Sequence, residues 1–143
     1  MMRVRRRLVF DPPLAGPMEM RAENVLLELN SRGFLNAERF GTRVRFDGIP
    51  SARAARSMEE RYAQVITGGR VDLHPSGRHA DLELECNRDH VSLAMILCVV
   101  LVIAPVPMLV RAAALGYVLW AILGARRGVP PVTSWVARAA RLP

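Results

Sequence analysis

Residues 91–125 read VSLAMILCVVLVIAPVPMLVRAAALGYVLWAILGA, and Arg111 is the only formally charged side chain among them. A run this long and apolar exceeds what one helix buries in a small globular core, since roughly 18 or more consecutive apolar residues read as a membrane span. The expected fold is therefore a small two-layer α+β domain followed by a C-terminal transmembrane helical hairpin. Ala104-Pro105-Val106-Pro107 punctuates the run, because proline disfavours helical geometry in the residue before it and removes a backbone donor. The turn of the hairpin is expected there, near residues 104–107. The first half, residues 91–104, rises only about 21 Å as a helix against a hydrocarbon core of ~30 Å, which leaves one kinked span followed by a re-entrant helix as the other arrangement.

Three segments follow from this division. Residues 1–88 form a cytoplasmic α+β domain, residues 89–125 the transmembrane hairpin, and residues 126–143 a basic amphipathic juxtamembrane tail. Arg88 precedes the run while Arg126, Arg127, Arg138 and Arg141 follow it, and the turn between carries no charge. By the positive-inside rule both termini are then cytoplasmic, at the inner membrane of a bacterium. Arg111 is placed about one turn from the far end of the second helix, within reach of headgroups. Trp135 lies beside Arg138 and Arg141 in a segment patterned to rest on an anionic membrane surface. Ala112, Gly116 and Gly124 give the second helix a strip of small residues for close helix packing, within the hairpin or between copies.

The formal charge is +7. All the acidic residues fall before residue 91, where thirteen of them face fifteen arginines for a sum of +2; the remaining five arginines, at 111, 126, 127, 138 and 141, supply the other +5. An excess concentrated on an apolar run and its flank is a topology and headgroup signal, not a nucleic-acid footprint. Nucleic acid is accordingly not expected as a partner. The partners expected are the lipid bilayer and either a membrane protein or further copies of this chain.

Within the first domain the expected order is β-α-β-(α)-β-β, largely antiparallel. Arg3–Phe10 is an edge strand with Val4, Leu8 and Phe10 turned inward, Arg6 being tolerable only at an edge. Residues 17–31 repeat apolar side chains at helical spacing and stop at Gly33. Thr42–Phe46 alternates as a second strand, and Ser57 with Glu60 forms a capping box for a short helix. Val71 to Cys86 reads as a hairpin turning at Pro75-Ser76-Gly77. Its last strand alternates Asp81, Glu83 and Glu85 with apolar residues, and that acidic side is expected beside Arg43 and Arg45.

No catalytic, metal or cofactor site emerges from these residues. His74 and His79 flank the hairpin turn without a third ligand for zinc. Three alternating carboxylates are what a solvent-facing strand shows. Gly68-Gly69 lacks the Lys-Ser/Thr that completes a phosphate loop. Cys86 and Cys98 fall in different environments and are not expected to pair. The function expected is a non-enzymatic accessory, assembly or interaction subunit at the membrane. The alternative is a membrane-anchored sensor or binding protein for a small ligand or anionic lipid headgroups.

Overall fold

The computed structural model describes residues 2–50, 52–87, 89–103 and 107–143, except for the side chains at 89–91, 94, 101–103, 121, 122, 125 and 126. Its elements are β1 (Met2–Val9), α1 (Met18–Arg32), β2 (Leu35–Phe40), β3 (Arg43–Asp47), α2 (Met58–Ala63), β4 (Ile66–Leu73), β5 (His79–Cys86), α3 (Asp89–Ile103), α4 (Met108–Arg127) and α5 (Val129–Arg141). The strands form one five-stranded antiparallel sheet in the order β1-β5-β4-β3-β2. β1 and β2 are its edges.

The sheet has one covered face. Val44, Phe46, Val71, Leu73, Ala80, Leu82 and Leu84 point from alternate positions into a core, where Val25 and Leu29 of α1 meet them. Alternation with charged residues makes the opposite face polar, so the two-layer arrangement follows from a strand period of two. The α1 helix ends at Gly33, whose φ of +88° is the left-handed cap geometry that glycine adopts without a Cβ penalty. Ser57 caps α2 by accepting from the Glu60 amide at 3.2 Å, and the Glu60 carboxylate accepts from the Arg56 amide at 2.7 Å. Those bonds satisfy a glutamate that is almost wholly buried.

β2 is a strand that the alternation did not reveal. Its register against β3 shifts between Leu35 and Glu38, and Asn36 has a φ of +47°. A bulge of this kind puts two residues of one strand opposite one of the other and breaks the period on which a reading from sequence relies.

The break in the apolar run falls where expected, with α3 ending at Ile103 and α4 beginning at Met108; what differs is whether either helix can span a membrane. Among the described residues no helix is long and apolar enough to cross a membrane. α3 has 15 residues, a rise of about 22 Å against a hydrocarbon core of ~30 Å. The uncharged part of α4 lies between Arg111 and Arg126, and its residues 112–125 rise roughly 21 Å. The expected transmembrane hairpin is therefore corrected to two helices of 15 and 20 residues packed on each other, neither long and apolar enough to span a membrane. The bacterial inner-membrane placement, which rested on that hairpin, falls with it. The turn at 104–106 lies outside the described residues.

The second correction concerns residues 126–143. They do not form a surface tail or part of a hairpin: α5 completes the core of the α+β domain. Val132, Trp135, Val136, Ala139 and Ala140 are buried against α1, α2 and the sheet. The end of α5 is held from α1, where Arg21 and Asn24 both donate to the Leu142 carbonyl, the latter at 3.1 Å. The segment is amphipathic, as its pattern suggests, and forms a helix with one apolar side. What that side meets is protein.

Candidate functional site

Two surfaces stand out, and the elements that build them are independent. The first is the outward side of the α3–α4 pair. Ala114 of α4 is buried, Tyr117 and Val118 are half-buried, and the side formed by Met108, Ala112, Leu115, Gly116, Leu119, Trp120 and Leu123 is exposed. α3 adds exposed Leu93, Met95, Ile96, Val99 and Val100. A Cβ placed on Gly116 or Gly124 would meet nothing within 4 Å. The small residues singled out for helix packing thus leave an open strip instead of a close contact inside the chain. Monomeric proteins seldom expose contiguous apolar patches beyond a few hundred Å² to water, which makes this side a candidate interaction surface.

The second surface is the outer face of the sheet, and its register arranges charge in rows. Arg5, Glu83, Arg70, Arg45 and Glu38 face one another across the five strands. The adjacent row runs Arg7, Asp81, Asp72, Arg43 and Phe40. Arg3 pairs with Glu85 at 3.1 Å, Arg7 with Asp81 at 3.0 Å, and Arg70 with Glu83 at 2.7 Å; Arg43 is hydrogen-bonded to Asp72. The acidic side of β5 therefore does not lie beside Arg43 and Arg45. It sits between the arginines of β1 and Arg70 of β4. The hydrogen bond from Arg7 holds the Asp81 carboxyl below the ordinary carboxylate range, and the bond to Asp72 raises Arg43 further.

These pairs leave one like-charge contact of arginines. Arg45 lies directly opposite Arg70, and Arg45 makes no ion pair among the described residues. Beside them a shallow groove of about 450 Å³ runs past Phe40, Gly68 and Gly69. The groove is lined by guanidinium groups, Arg45 and Arg70 among them, together with the carboxylates of Asp47, Glu83 and Glu85.

The residues predicted from sequence scatter over the molecule. Arg88 lies outside the described residues, and the side chain of Arg126 is not described. Arg111 is exposed in the first turns of α4 and Arg138 is exposed on α5. Arg127 stands 5.9 Å from the centre of the Tyr62 ring, and Arg141 the same distance from that of Phe10. Trp135, expected at a headgroup surface, is fully buried; its Nε1 donates to Glu59 at 3.2 Å and Arg32 covers its ring at 4.7 Å. Ala112 and Gly116 share one exposed side of α4. His74 and His79 stack at 4.3 Å, and no group of three metal-ligating side chains occurs among the described residues.

Reasoning from sequence missed the pairing of β1 with β5. The signal was present: Arg3, Arg5 and Arg7 alternate with the same period as Asp81, Glu83 and Glu85, so two complementary strips were written at opposite ends of the domain. No protein-family model, curated protein or solved structure matches this chain.

Proposed function

We propose that this protein is a non-enzymatic assembly subunit that joins a second copy of itself through the outward side of α3 and α4. The observation that carries the reading is the uncovered apolar side of α4, with the Gly116 and Gly124 strip open along it. An identical surface matches its apolar character, and small residues let two helix backbones approach closely. The α+β domain fits this role as a rigid base. α4 leads directly into α5, whose core packing fixes where the helix pair emerges. The non-enzymatic part of the reading is supported by the outer sheet face, whose charged side chains are largely engaged with each other instead of converging on one point.

Light scattering on the full chain in a mild non-ionic detergent tests this. The expected mass is that of a dimer or a higher closed oligomer, shifting to monomer in Leu119→Glu. A monomeric wild-type chain that partitions into lipid vesicles through α3 and α4 contradicts it.

A second reading draws on a different observation. The opposed Arg45 and Arg70 beside the groove favour a small-anion binding role. Isothermal titration with inorganic phosphate and with a dicarboxylate tests it; saturable heat abolished by Arg45→Gln supports it, and no heat discards it.

A further inference from the structure

The outer edge of β1 is uncommitted, and its chemistry is selective. β1 pairs with β5 on one side only. In an antiparallel edge strand half of the backbone N–H and C=O groups point away from the sheet. Among the described residues, none of the turn, loop or cap backbone bonds involves residues 2–9. A sheet that ends this way is a template for one more strand.

The side chains determine which strand fits. Arg3, Arg5 and Arg7 stand along the outer face at 64%, 77% and 66% exposure, each with its carboxylate on the β5 side and no second ion pair among the described residues. Arg5 is the least satisfied of the three. Its carboxylate, Glu83, sits 3.5 Å away and is held more closely by Arg70 at 2.7 Å. On the opposite face Arg6 is exposed beside half-buried Val4 and Leu8, and it makes no ion pair among the described residues. Four arginines on one free edge repel the same edge of a second copy, which is how natural sheets discourage self-pairing. The same arrangement attracts a strand of opposite charge, since opposite charges directly across strands stabilise pairing and like charges oppose it.

We propose that the β1 edge is a docking site for an extended acidic peptide segment, which adds to the sheet as a sixth strand with carboxylates at alternate positions facing Arg3, Arg5 and Arg7. The occupant carries small apolar residues on its other face, to continue the surface of Val4 and Leu8. β5 itself, with Asp81, Glu83 and Glu85 at alternate positions, is the pattern of such a strand and shows that β1 accepts it from one side. Backbone pairing supplies the affinity and the arginine column sets the register. This site is separate from the α3–α4 surface and does not depend on it.

The test uses the full chain in non-ionic detergent and a fluorescein-labelled peptide of alternating glutamate and valine with blocked ends, followed by fluorescence anisotropy. Saturable binding is expected. It should weaken at least tenfold when Arg3, Arg5 and Arg7 are together changed to Gln, with the circular dichroism spectrum unchanged. Two N-methylated forms of the peptide separate strand addition from simple charge attraction. Methylation at the alternate positions that face β1 is expected to abolish binding, whereas methylation at the others leaves it. Protection of β1 amides from hydrogen exchange upon peptide addition provides a readout that needs no variant. Absence of peptide binding overturns the proposal. Equal binding of both methylated forms, or displacement of the peptide by an equally tight oligothymidylate, also overturns it by showing a surface that attracts any polyanion.

Discussion

The indole Nε1 of Trp135 donates to the Glu59 carboxylate at 3.2 Å, joining the C-terminal helix to α2 across 76 residues of sequence. Arg32 of α1 lies over the same ring at 4.7 Å. One side chain of α5 therefore touches two other helices, and residues 129–141 belong to the folding unit that begins at β1. Trp135→Ala should destabilise the domain by about 3–5 kcal/mol, the usual cost of removing a large buried aromatic. Trp135→Phe keeps most of the volume and loses only the hydrogen bond to Glu59, whose exposed carboxylate turns to water, so it should cost about 1 kcal/mol. Denaturant unfolding followed by circular dichroism distinguishes them. A loss below about 1 kcal/mol for the alanine variant would place Trp135 outside the core.

Gly33 is expected to resist substitution. Its φ of +88° suits glycine, and a Cβ there would run into the Arg53 guanidinium. Gly33→Ala should cost about 1–2 kcal/mol from the left-handed conformation, before any rearrangement of Arg53. The midpoint of thermal unfolding checks this against Gly41→Ala. That glycine also has positive φ but its Cβ would meet nothing within 4 Å, so the difference between the two variants isolates the contact with Arg53.

Ser57→Ala removes the oxygen that accepts from the Glu60 amide at 3.2 Å. A loss of about 1 kcal/mol is expected for an N-cap of this kind. Ser57→Asp should retain most of the stability, and the pair of variants measured in urea reports whether the cap or merely the loop is at work.

Acid sensitivity has a defined sign at Asp81. The hydrogen bond from Arg7 depresses its folded pKa below that of the unfolded chain. The pair thus contributes stability above the ordinary carboxylate value of about 4, and the contribution is lost as pH falls through the lower folded value. In Arg7→Gln the Asp81 carboxyl should titrate nearer its ordinary value, as read by carbon-detected NMR. An unchanged titration would mean that Arg7 does not hold it.

Part of this architecture was legible because single residues carried an unambiguous local signal. Gly33 as a helix stop, the Ser57–Glu60 cap and the turn at Pro75-Ser76-Gly77 each act within a few residues, where sequence and geometry are directly coupled. β2 was hidden because its bulge and the positive φ of Asn36 destroy the alternation. The segment from Val129 to Arg141 illustrates a different limit. Trp135 between apolar and arginine neighbours describes an amphipathic helix equally well on a headgroup surface and on a protein core, since periodicity identifies the apolar side without naming what it meets. The apolar run at 91–125 reads as a membrane hairpin even though its first half is short as a helix; α3 keeps that shortfall with 15 residues, and Arg111 cuts the uncharged part of α4 to a similar length. The outer sheet face needed register. Without knowing that β1 lies beside β5, the matching arginine and carboxylate strips remain two unrelated patterns.

Whether the outward side of α4 meets another copy of itself is decided by site-directed cross-linking at Gly116. A cysteine there is accommodated, since a Cβ meets nothing within 4 Å. Cys98 is replaced by Ser beforehand, while Cys86 is buried and burial pushes its thiol up, away from the reactive thiolate. A short bis-maleimide is expected to convert dilute Gly116→Cys chain into a covalent dimer, and adding Leu119→Glu to prevent it. Rapid single labelling of a monomer at every concentration, with no linked dimer, would rule out the α4 interface.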